Sequence, residues 1–143
     1  MSRRFPLAGL MRLRHLEETQ AAGRLQSARQ DQQNTNQRLA RFVETNTGGE
    51  NPSSPAALLA IAAARSSSRS MLTELHALAA QAEQQVQDAE SAYSQAKRAT
   101  GVVEKLHQRH LQQQEVEELV REQSVLDEAA QRSHQYTAKG GSR

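Results

Sequence analysis

The sequence predicts an all-α fold, a long antiparallel two-helix coiled-coil hairpin with an overhanging C-terminal helix. Three observations predict it. Apolar and small residues recur every seven positions over much of the chain, which is the repeat of a coiled coil. A single strong loop signal, TNTGGENPSSP, interrupts the chain after its first third. Hydrophobic residues make up only 36% and aromatic residues 3% of the 143 residues, which suits long helices better than a globular core.

Helix one is predicted over about residues 6–46. Pro6 stands where the first turn of a helix tolerates proline, and no further proline follows until Pro52. Two sets of positions repeat every seven residues and form a thin seam, apolar at its ends and polar in places, as in a weak coiled coil. The sets are Leu7, Arg14, Ala21, Ala28, Thr35 and Phe42, and Met11, Glu18, Leu25, Gln32 and Leu39.

Residues 47–68 are predicted to form a loop and a short helix. Two glycines and two prolines lie within residues 45–55, which is a clear turn composition. The apolar stretch AALLAIAAAR, residues 56–65, then indicates a short helix with Pro55 near its start. The serines at 66–68 weaken the helical signal and separate this helix from the next element.

Helix two is predicted over about residues 69–134, with a frayed tail at 135–143. Its seam runs through six heptads, and alanine at many positions allows a partner helix to lie close. We interpret residues 1–143 as a single coiled-coil domain. The two sets of seam positions are Leu72, Ala79, Val86, Tyr93, Thr100 and His107, and Leu75, Ala82, Ala89, Ala96, Val103 and His110.

The two predicted helices differ in length, so the longer one must overhang. Helix one spans roughly 60 Å and helix two about 100 Å, at about 1.5 Å per residue. If the chain folds back at the loop, helix one runs out opposite about residue 110. The acidic segment EVEELVREQSVLDE, residues 115–128, then has no partner within the chain. We expect some of its Val and Leu side chains to face another protein.

The distribution of charge says more about partners than the net charge of +2. Residues 1–46 hold eight Lys and Arg against four Asp and Glu, whereas residues 72–143 hold eight against eleven. Opposite signs suit pairing of the two halves, although two solvated faces would give the same pattern. The low net charge and the scarcity of aromatic residues argue against a nucleic-acid partner.

The sequence carries no recognisable catalytic or cofactor motif. It contains no cysteine, which excludes disulfides, thiolate metal sites and a cysteine nucleophile. Gly48 and Gly49 are not followed by the Lys-Ser/Thr of a phosphate-binding loop. Glu104, His107 and His110 have the helical spacing of metal ligands, but di-metal bundles need two such motifs and two more glutamates. We predict no enzyme activity, no cofactor and no metal site.

Both ends of the chain carry distinctive runs of residues. The N-terminal run FPLAGLMRLRHLEETQAAGRL begins with Phe-x-Leu and continues as a helix start rich in leucine and arginine, then in glutamate and alanine. The C-terminal run VVEKLHQRHLQQQEVEELVREQSVLDEAAQR contains a Lys-Leu-x-x-Arg turn at Lys105, Leu106 and Arg109, followed by an acidic stretch ending in Leu126, Asp127 and Glu128. In this order the two runs resemble the flagellar export protein FliJ family, whereas the middle of the chain looks like generic coiled coil.

The resemblance implies a two-helix coiled coil like the central stalk of rotary ATPases, without the globular part of that subunit. It implies a component of the flagellar type III export apparatus that inserts into the hexameric export ATPase ring and promotes its assembly and activity. The other implied partners are the cytoplasmic domain of the export gate FlhA and export chaperones. The chain would be cytoplasmic, associating peripherally with the inner face of the cell membrane through these partners, and no apolar run approaches the roughly 20 residues of a membrane span.

The resemblance assigns site residues only at positions where this sequence matches the motifs of the family. The residues implied to face the ATPase are Leu10, Arg12, Leu13, Arg14, Leu16, Glu17, Glu118, Arg121, Leu126, Asp127, Glu128 and Arg132. The export-gate role in the family lies toward the loop, where the candidates are Phe42, Leu58, Leu59, Met71, Leu72 and Leu75.

Two alternatives to the flagellar stalk stay open at the level of sequence. The first is the stalk of a virulence-type III secretion system, which shares the hairpin, and neighbouring flagellar genes would argue against it. The second is a structural coiled-coil adaptor unrelated to export. A stable oligomer formed through the long helices would favour the adaptor.

Overall fold

A computed structural model describes residues 5–49 and 51–140 of the chain. Two helices account for nearly all of these residues, α1 from Ala8–Thr45 and α2 from Pro55–Gly140, with 38 and 86 residues. No strand occurs in the described ranges. The predicted all-α, two-helix hairpin is therefore confirmed. The last three residues of the predicted frayed tail at 135–143 lie outside the described residues.

Helix α1 begins and ends with its terminal backbone groups bonded. At its start, the amide of Ala8 donates to the carbonyl of Phe5 at 3.1 Å. At its end, Asn46 donates to the carbonyl of Phe42 through its backbone amide at 3.2 Å and its side-chain amide at 2.8 Å. Thr47 Oγ1 adds a 2.8 Å bond to the carbonyl of Glu44. These bonds satisfy carbonyls that a helix end leaves without partners.

Helix α2 begins earlier than the sequence predicted and runs on without a break. Ser54 caps it, because its Oγ accepts the amide of Ala57 at 3.1 Å, and Pro55 takes the first helical position. The structure thus differs from the predicted short helix within 47–68 and from a separate helix starting near 69. The reason is propensity: each of the serines at 66–68 costs only about 0.5 kcal/mol relative to alanine, and alanines precede them.

The C-terminal end of α2 also differs from the prediction. The helix continues to Gly140 rather than ending near 134. Residues 129–139 contain no proline and no glycine, so nothing in the backbone chemistry stops the helix before Gly140.

The chain forms two compact units, one of residues 15–98 and one of the N-terminal segment through Arg14 with residues 99–143. In the unit of residues 15–98 the helices are antiparallel. Asn46 Oδ1 accepts a 3.0 Å bond from Ser68 Oγ at the loop end, and Arg29 forms a 2.8 Å ion pair with Glu90 farther along. Every predicted seam position in this unit is buried or half-buried. The most buried are Ala21, Leu25, Leu75, Ala82 and Val86, at 6% to 8% exposure.

In the terminal unit the start of α1 also packs antiparallel to α2. The ring of Phe5 lies 4.8 Å from that of His107 and 5.5 Å from that of His110, between centroids. Nine residues after Phe5, the carbonyl of Arg14 accepts a 3.1 Å hydrogen bond from Thr100 Oγ1. Thr100 and Val103 are only 3% and 4% exposed. The seam positions of this unit are therefore buried or half-buried as predicted, except for Leu7, which is 38% exposed.

Beyond His110 the described part of the terminal unit consists of α2 alone. From Leu111 to Gln135 every described side chain except that of Gln114 is exposed. The large apolar side chains of this stretch are 45% to 66% exposed, namely Leu111, Val116, Leu119, Val120, Val125 and Leu126. The predicted overhang is confirmed, and its position follows from where Phe5 meets α2. Residues 111–135 are called the overhang below. Among the described helices, none has a stretch both long and apolar enough to cross a bilayer.

Candidate interaction surfaces

The first candidate surface is the start of α1 in the terminal unit. Phe5 rests against both histidines of α2, with an angle of 47° between ring planes. This contact fixes where α1 starts relative to its partner helix. It also gives His107 and His110 a packing role. Within the described residues, no cluster of three or more side chains could hold a metal ion.

The ATPase-facing residues predicted in this part of α1 divide into two groups. Leu10 and Arg14 are half-buried, and the carbonyl of Arg14 accepts the bond from Thr100. Arg12 and Leu13 are exposed. Since successive helical residues point about 100° apart, Arg12 and Leu13 face away from the Met11 and Arg14 seam. Of these four residues, only Arg12 and Leu13 are exposed to a partner.

Two further predicted residues, Leu16 and Glu17, belong to the unit of residues 15–98. Leu16 is exposed, with more than half of its surface open to solvent, whereas Glu17 is half-buried. Of these two residues, Leu16 is therefore the one whose side chain a partner protein can reach.

The second candidate surface is the overhang, which holds all six predicted C-terminal residues. All six are exposed: Glu118, Arg121, Leu126, Asp127, Glu128 and Arg132. Two ion pairs at i, i+4 spacing lie along the helix, Arg121 with Glu117 at 4.0 Å and Arg132 with Glu128 at 3.5 Å. Exposed pairs of this kind add only about 0.3–0.5 kcal/mol of helix stability. Residues 115–128 hold six acidic residues and one arginine, so the surface is strongly acidic around its apolar side chains.

The structure does not bring the two predicted ATPase-facing segments of the terminal unit together. Arg14 lies at the level of Thr100, and Phe5 lies at the level of His107 and His110. Glu118 lies two helical turns beyond His110, a distance of about 12 Å along the axis. The start of α1 and the overhang are therefore separate surfaces.

The third candidate surface lies at the loop end of the unit of residues 15–98. An open groove of about 680 Å³ runs between the end of α1 and the start of α2, lined among others by Phe42, Asn46, Ile61, Arg65 and Leu72. The groove exists because residues 55–67 of α2 extend past the Asn46–Ser68 contact, where no second helix of the described chain lies beside them.

The predicted gate-facing residues differ in availability. Leu58 and Leu59, at 57% and 73% exposure, and Met71 present their side chains to solvent. Phe42 and Leu72 are half-buried, and Leu75 is buried in the seam. A partner can reach Leu75 only if the helices separate, so its main role is in the packing of the hairpin.

One surface was missed when residues were assigned from sequence. Val102 and Leu106 are exposed on α2 of the terminal unit, and Lys105 and Arg109 are exposed beside them. The spacing i, i+3, i+4, i+7 puts all four on one side of the helix. This spacing is visible in the sequence, immediately beside the seam positions Val103 and His107, and could have identified the surface.

Comparison with known protein families gives a match. The family model described as flagellar FliJ protein matches residues 2–139, which is nearly the whole chain. No curated protein and no solved structure matches the chain.

Proposed function

The chain belongs to the flagellar FliJ protein family, and from this premise we propose that it is the central stalk of the flagellar type III export apparatus. In that role it binds and stimulates the export ATPase ring and links the ring to the export gate. Membership of the family establishes that the chain is a flagellar protein related to export. The family match favours this function over a virulence-type stalk or an unrelated adaptor.

The observation that carries the proposal is the overhang. It is a helical stretch with six large exposed apolar side chains, and no second helix of the described chain lies beside it. Monomeric soluble proteins rarely expose a large contiguous apolar patch unless it binds something. The overhang is narrow, a single helix about 10–12 Å across, which suits insertion into the opening of a ring.

The contacts proposed for the ATPase are those that need no opening of the seam. They include Arg12 and Leu13 at the start of α1, Leu16 farther along α1, and the charged and apolar side chains of the overhang. None of them is aromatic, and binding hot spots favour Trp and Tyr. A stalk with modest affinity per unit area can engage the ring without locking it. ATP hydrolysis belongs to the ring in this proposal, and we assign no catalytic step to the chain.

The proposed contact with the cytoplasmic domain of FlhA uses the loop end. Leu58, Leu59 and Met71 present exposed apolar side chains there. Association with the membrane is then indirect, through the gate and the ring, and export chaperones are further candidate partners of the exposed helix faces. Replacing Leu58 and Leu59 by Ser is expected to weaken binding to the purified FlhA domain without changing ATPase stimulation.

The test of the stalk is stimulation of the cognate flagellar export ATPase by the purified chain. Wild type is expected to raise the rate of ATP hydrolysis. Two double variants, Arg12→Glu with Leu13→Ser and Leu119→Ser with Leu126→Ser, are expected to need about tenfold more protein for the same stimulation, which is about 1.4 kcal/mol of binding. A matched control, Arg24→Glu with Leu78→Ser, changes exposed residues of the other unit and should behave as wild type.

The outcomes separate the function from the residue assignment. If wild type does not stimulate the ATPase at any concentration, the stalk function is wrong. If wild type stimulates and both variants stimulate equally well, the function stands and the assignment of these side chains is wrong.

A further inference from the structure

The first ten residues of α2, in the unit of residues 15–98, are apolar on every side of the helix. Residues 55–64 comprise one proline, six alanines and three large aliphatic residues, with no polar side chain among them. All of them except Ala57 and Ile61 are exposed. We call residues 55–64 the apolar tip. A helix that is apolar all round is ordinarily buried in a protein core or in a membrane, and the described chain supplies no such surroundings here.

Two cations follow the apolar tip on the same helix. Arg65 and Arg69 are both exposed, and among the described residues no ion pair uses either of them. Residues 51–73 contain no Asp or Glu, and the nearest acidic residues along the chain are Glu50 and Glu74. The apolar tip is therefore followed by a stretch of helix whose only charges are positive.

The apolar tip and its cations share one side of α2. Leu58, Ala62, Arg65 and Arg69 follow the spacing i, i+4, i+7, i+11, so they point within about 60° of one another at about 100° per residue. Leu59 borders this side, and all five residues are exposed. The surface combines large apolar side chains at one end with two guanidinium groups at the other.

The loop lies on a different side of the apolar tip. Gly48 and Gly49 line the loop-end groove together with Ile61 and Ala64. Their backbone is not helical, and peptide groups of this kind cannot enter hydrocarbon without losing hydrogen bonds. The loop side therefore needs water or polar groups, whereas the side of Leu58 has no such requirement.

We propose that the apolar tip lies on the surface of an anionic membrane, with Leu58 and Leu59 in the outer part of the acyl chains and Arg65 and Arg69 at the lipid phosphates. Ten helical residues span about 15 Å, half of a hydrocarbon core of about 30 Å, so the tip is too short to cross it. Apolar stretches of about this length lie at the interface, where basic residues add attraction to anionic lipids. This contact is direct, and it adds to the association through the gate and the ring.

The chemistry of the apolar tip favours a bilayer over a groove on another protein. The tip has no aromatic and no hydrogen-bonding side chain. Protein interfaces are anchored by Trp and Tyr and carry about one hydrogen bond per 100–200 Å². A bilayer surface requires only exposed apolar area and charge of the opposite sign, and both are present here.

The first test measures binding of the full wild-type chain to protein-free vesicles by flotation. The vesicles contain either phosphatidylcholine alone or phosphatidylcholine and phosphatidylglycerol in equal amounts. We expect the anionic vesicles to bind the chain more than about tenfold more tightly, because each arginine near their surface adds about fivefold. Added salt should weaken this binding. Equal binding to both vesicles, or binding to neither at low salt, overturns the proposal.

The second test changes the two components of the surface separately. Leu58→Ser with Leu59→Ser removes the large apolar side chains, and Arg65→Glu with Arg69→Glu reverses the charge. Each double variant is expected to bind anionic vesicles more than about tenfold more weakly than wild type. Circular dichroism of each variant verifies that the helices are formed. Wild-type binding by either helical variant overturns the proposal.

Matched controls make the same kinds of change at exposed positions far from the apolar tip. They are Val102→Ser with Leu106→Ser and Arg24→Glu with Arg98→Glu. Residue 98 lies about 43 Å along α2 from residue 69, which is beyond a Debye length of about 10 Å at 0.1 M salt. Both controls should bind as wild type. A loss as large as that of the tip variants would mean that the tip is not the site.

The position of the apolar tip can be read directly, because the chain contains no cysteine. Ala62→Cys provides a single attachment point for a fluorophore whose emission shifts to the blue in apolar surroundings. We expect a blue shift when anionic vesicles are added. The same fluorophore at Ala22→Cys, exposed on α1, should show none. A bound chain without a shift at residue 62, or with equal shifts at both positions, overturns the proposal.

The membrane contact is independent of the stalk function, because the vesicles contain no protein. It shares Leu58 and Leu59 with the contact proposed for FlhA, and the two are separated by what is bound. A wild-type chain that binds the purified FlhA domain but no vesicles would mean that the tip is a protein contact and that the membrane proposal is wrong. A chain that binds vesicles but not the FlhA domain would leave the membrane contact standing and the gate assignment wrong.

Discussion

Two stretches of α2 have similar sequence patterns and opposite environments. Between Leu72 and Tyr93 the seam side chains are buried or half-buried against α1, whereas those of the overhang are exposed. Val86 is 8% exposed and Val120 is 63% exposed, although the two side chains are identical. What differs is whether a second helix is present beside them. The apolar residues of the seam stabilise the fold, whereas the apolar residues of the overhang are available for partners.

The largest expected effect comes from placing a charge in each of the two stretches. Val86→Asp puts a carboxylate into the seam without a partner, and we expect a loss of about 3 kcal/mol or more in the free energy of unfolding. Val120→Asp places the same carboxylate in solvent and should change the free energy of unfolding by less than about 0.5 kcal/mol. Thermal and urea unfolding followed by circular dichroism measure both. Equal losses would mean that the overhang is buried in solution.

A smaller effect is expected from the buried hydroxyl of Thr100. Its bond to the carbonyl of Arg14 is a polar contact between helices inside the seam. Thr100→Val keeps the shape and removes the bond, and we expect a loss of about 1 kcal/mol. Thr73→Val is the control, because its hydroxyl bonds to Arg69 within the same helix and is exposed. A cost at Thr73 as large as at Thr100 would contradict a specific role for the contact between helices.

The smallest effect is expected at the exposed ion pair between Arg29 and Glu90. Although its atoms are 2.8 Å apart, the side chains are 60% and 50% exposed. Solvent screening limits such pairs to about 0.2–1 kcal/mol. A double-mutant cycle with Arg29→Ala and Glu90→Ala should give a coupling energy in that range that decreases as salt is added. A coupling several times larger would show that exposed charges contribute to the pairing as much as the apolar seam.

The heptad pattern predicted the fold because both helices are needed to bury one seam. All predicted seam positions of residues 15–98 are at least half-buried, and the overhang begins where the difference in helix lengths placed it. The helix boundaries were harder to predict. The serines at 66–68 lower helix propensity by a small amount, and once α2 has formed on either side the helix continues through them.

The candidate site was predictable only in part. A family motif does not distinguish the residues that pack the hairpin from the residues that bind a partner. Leu75 carries a large apolar side chain near the loop, like Leu58 and Leu59, yet it occupies a seam position and is buried. Its heptad position already indicated this. The exposed surface of Val102, Lys105, Leu106 and Arg109 required a further step, because these residues form a surface only when their side of the helix is known to be exposed.

The caps on either side of the loop have a practical consequence for engineering the protein. Asn46 and Thr47 complete the end of α1, and Ser54 completes the start of α2, each through bonds local to its own helix end. These capping bonds involve none of residues 51–53. Doubling the length of a flexible loop costs only about 0.6 kcal/mol of closure entropy. The connection between Thr47 and Ser54 can therefore carry an inserted peptide tag or a fluorophore, which would report on the hairpin from a position that leaves both helices intact.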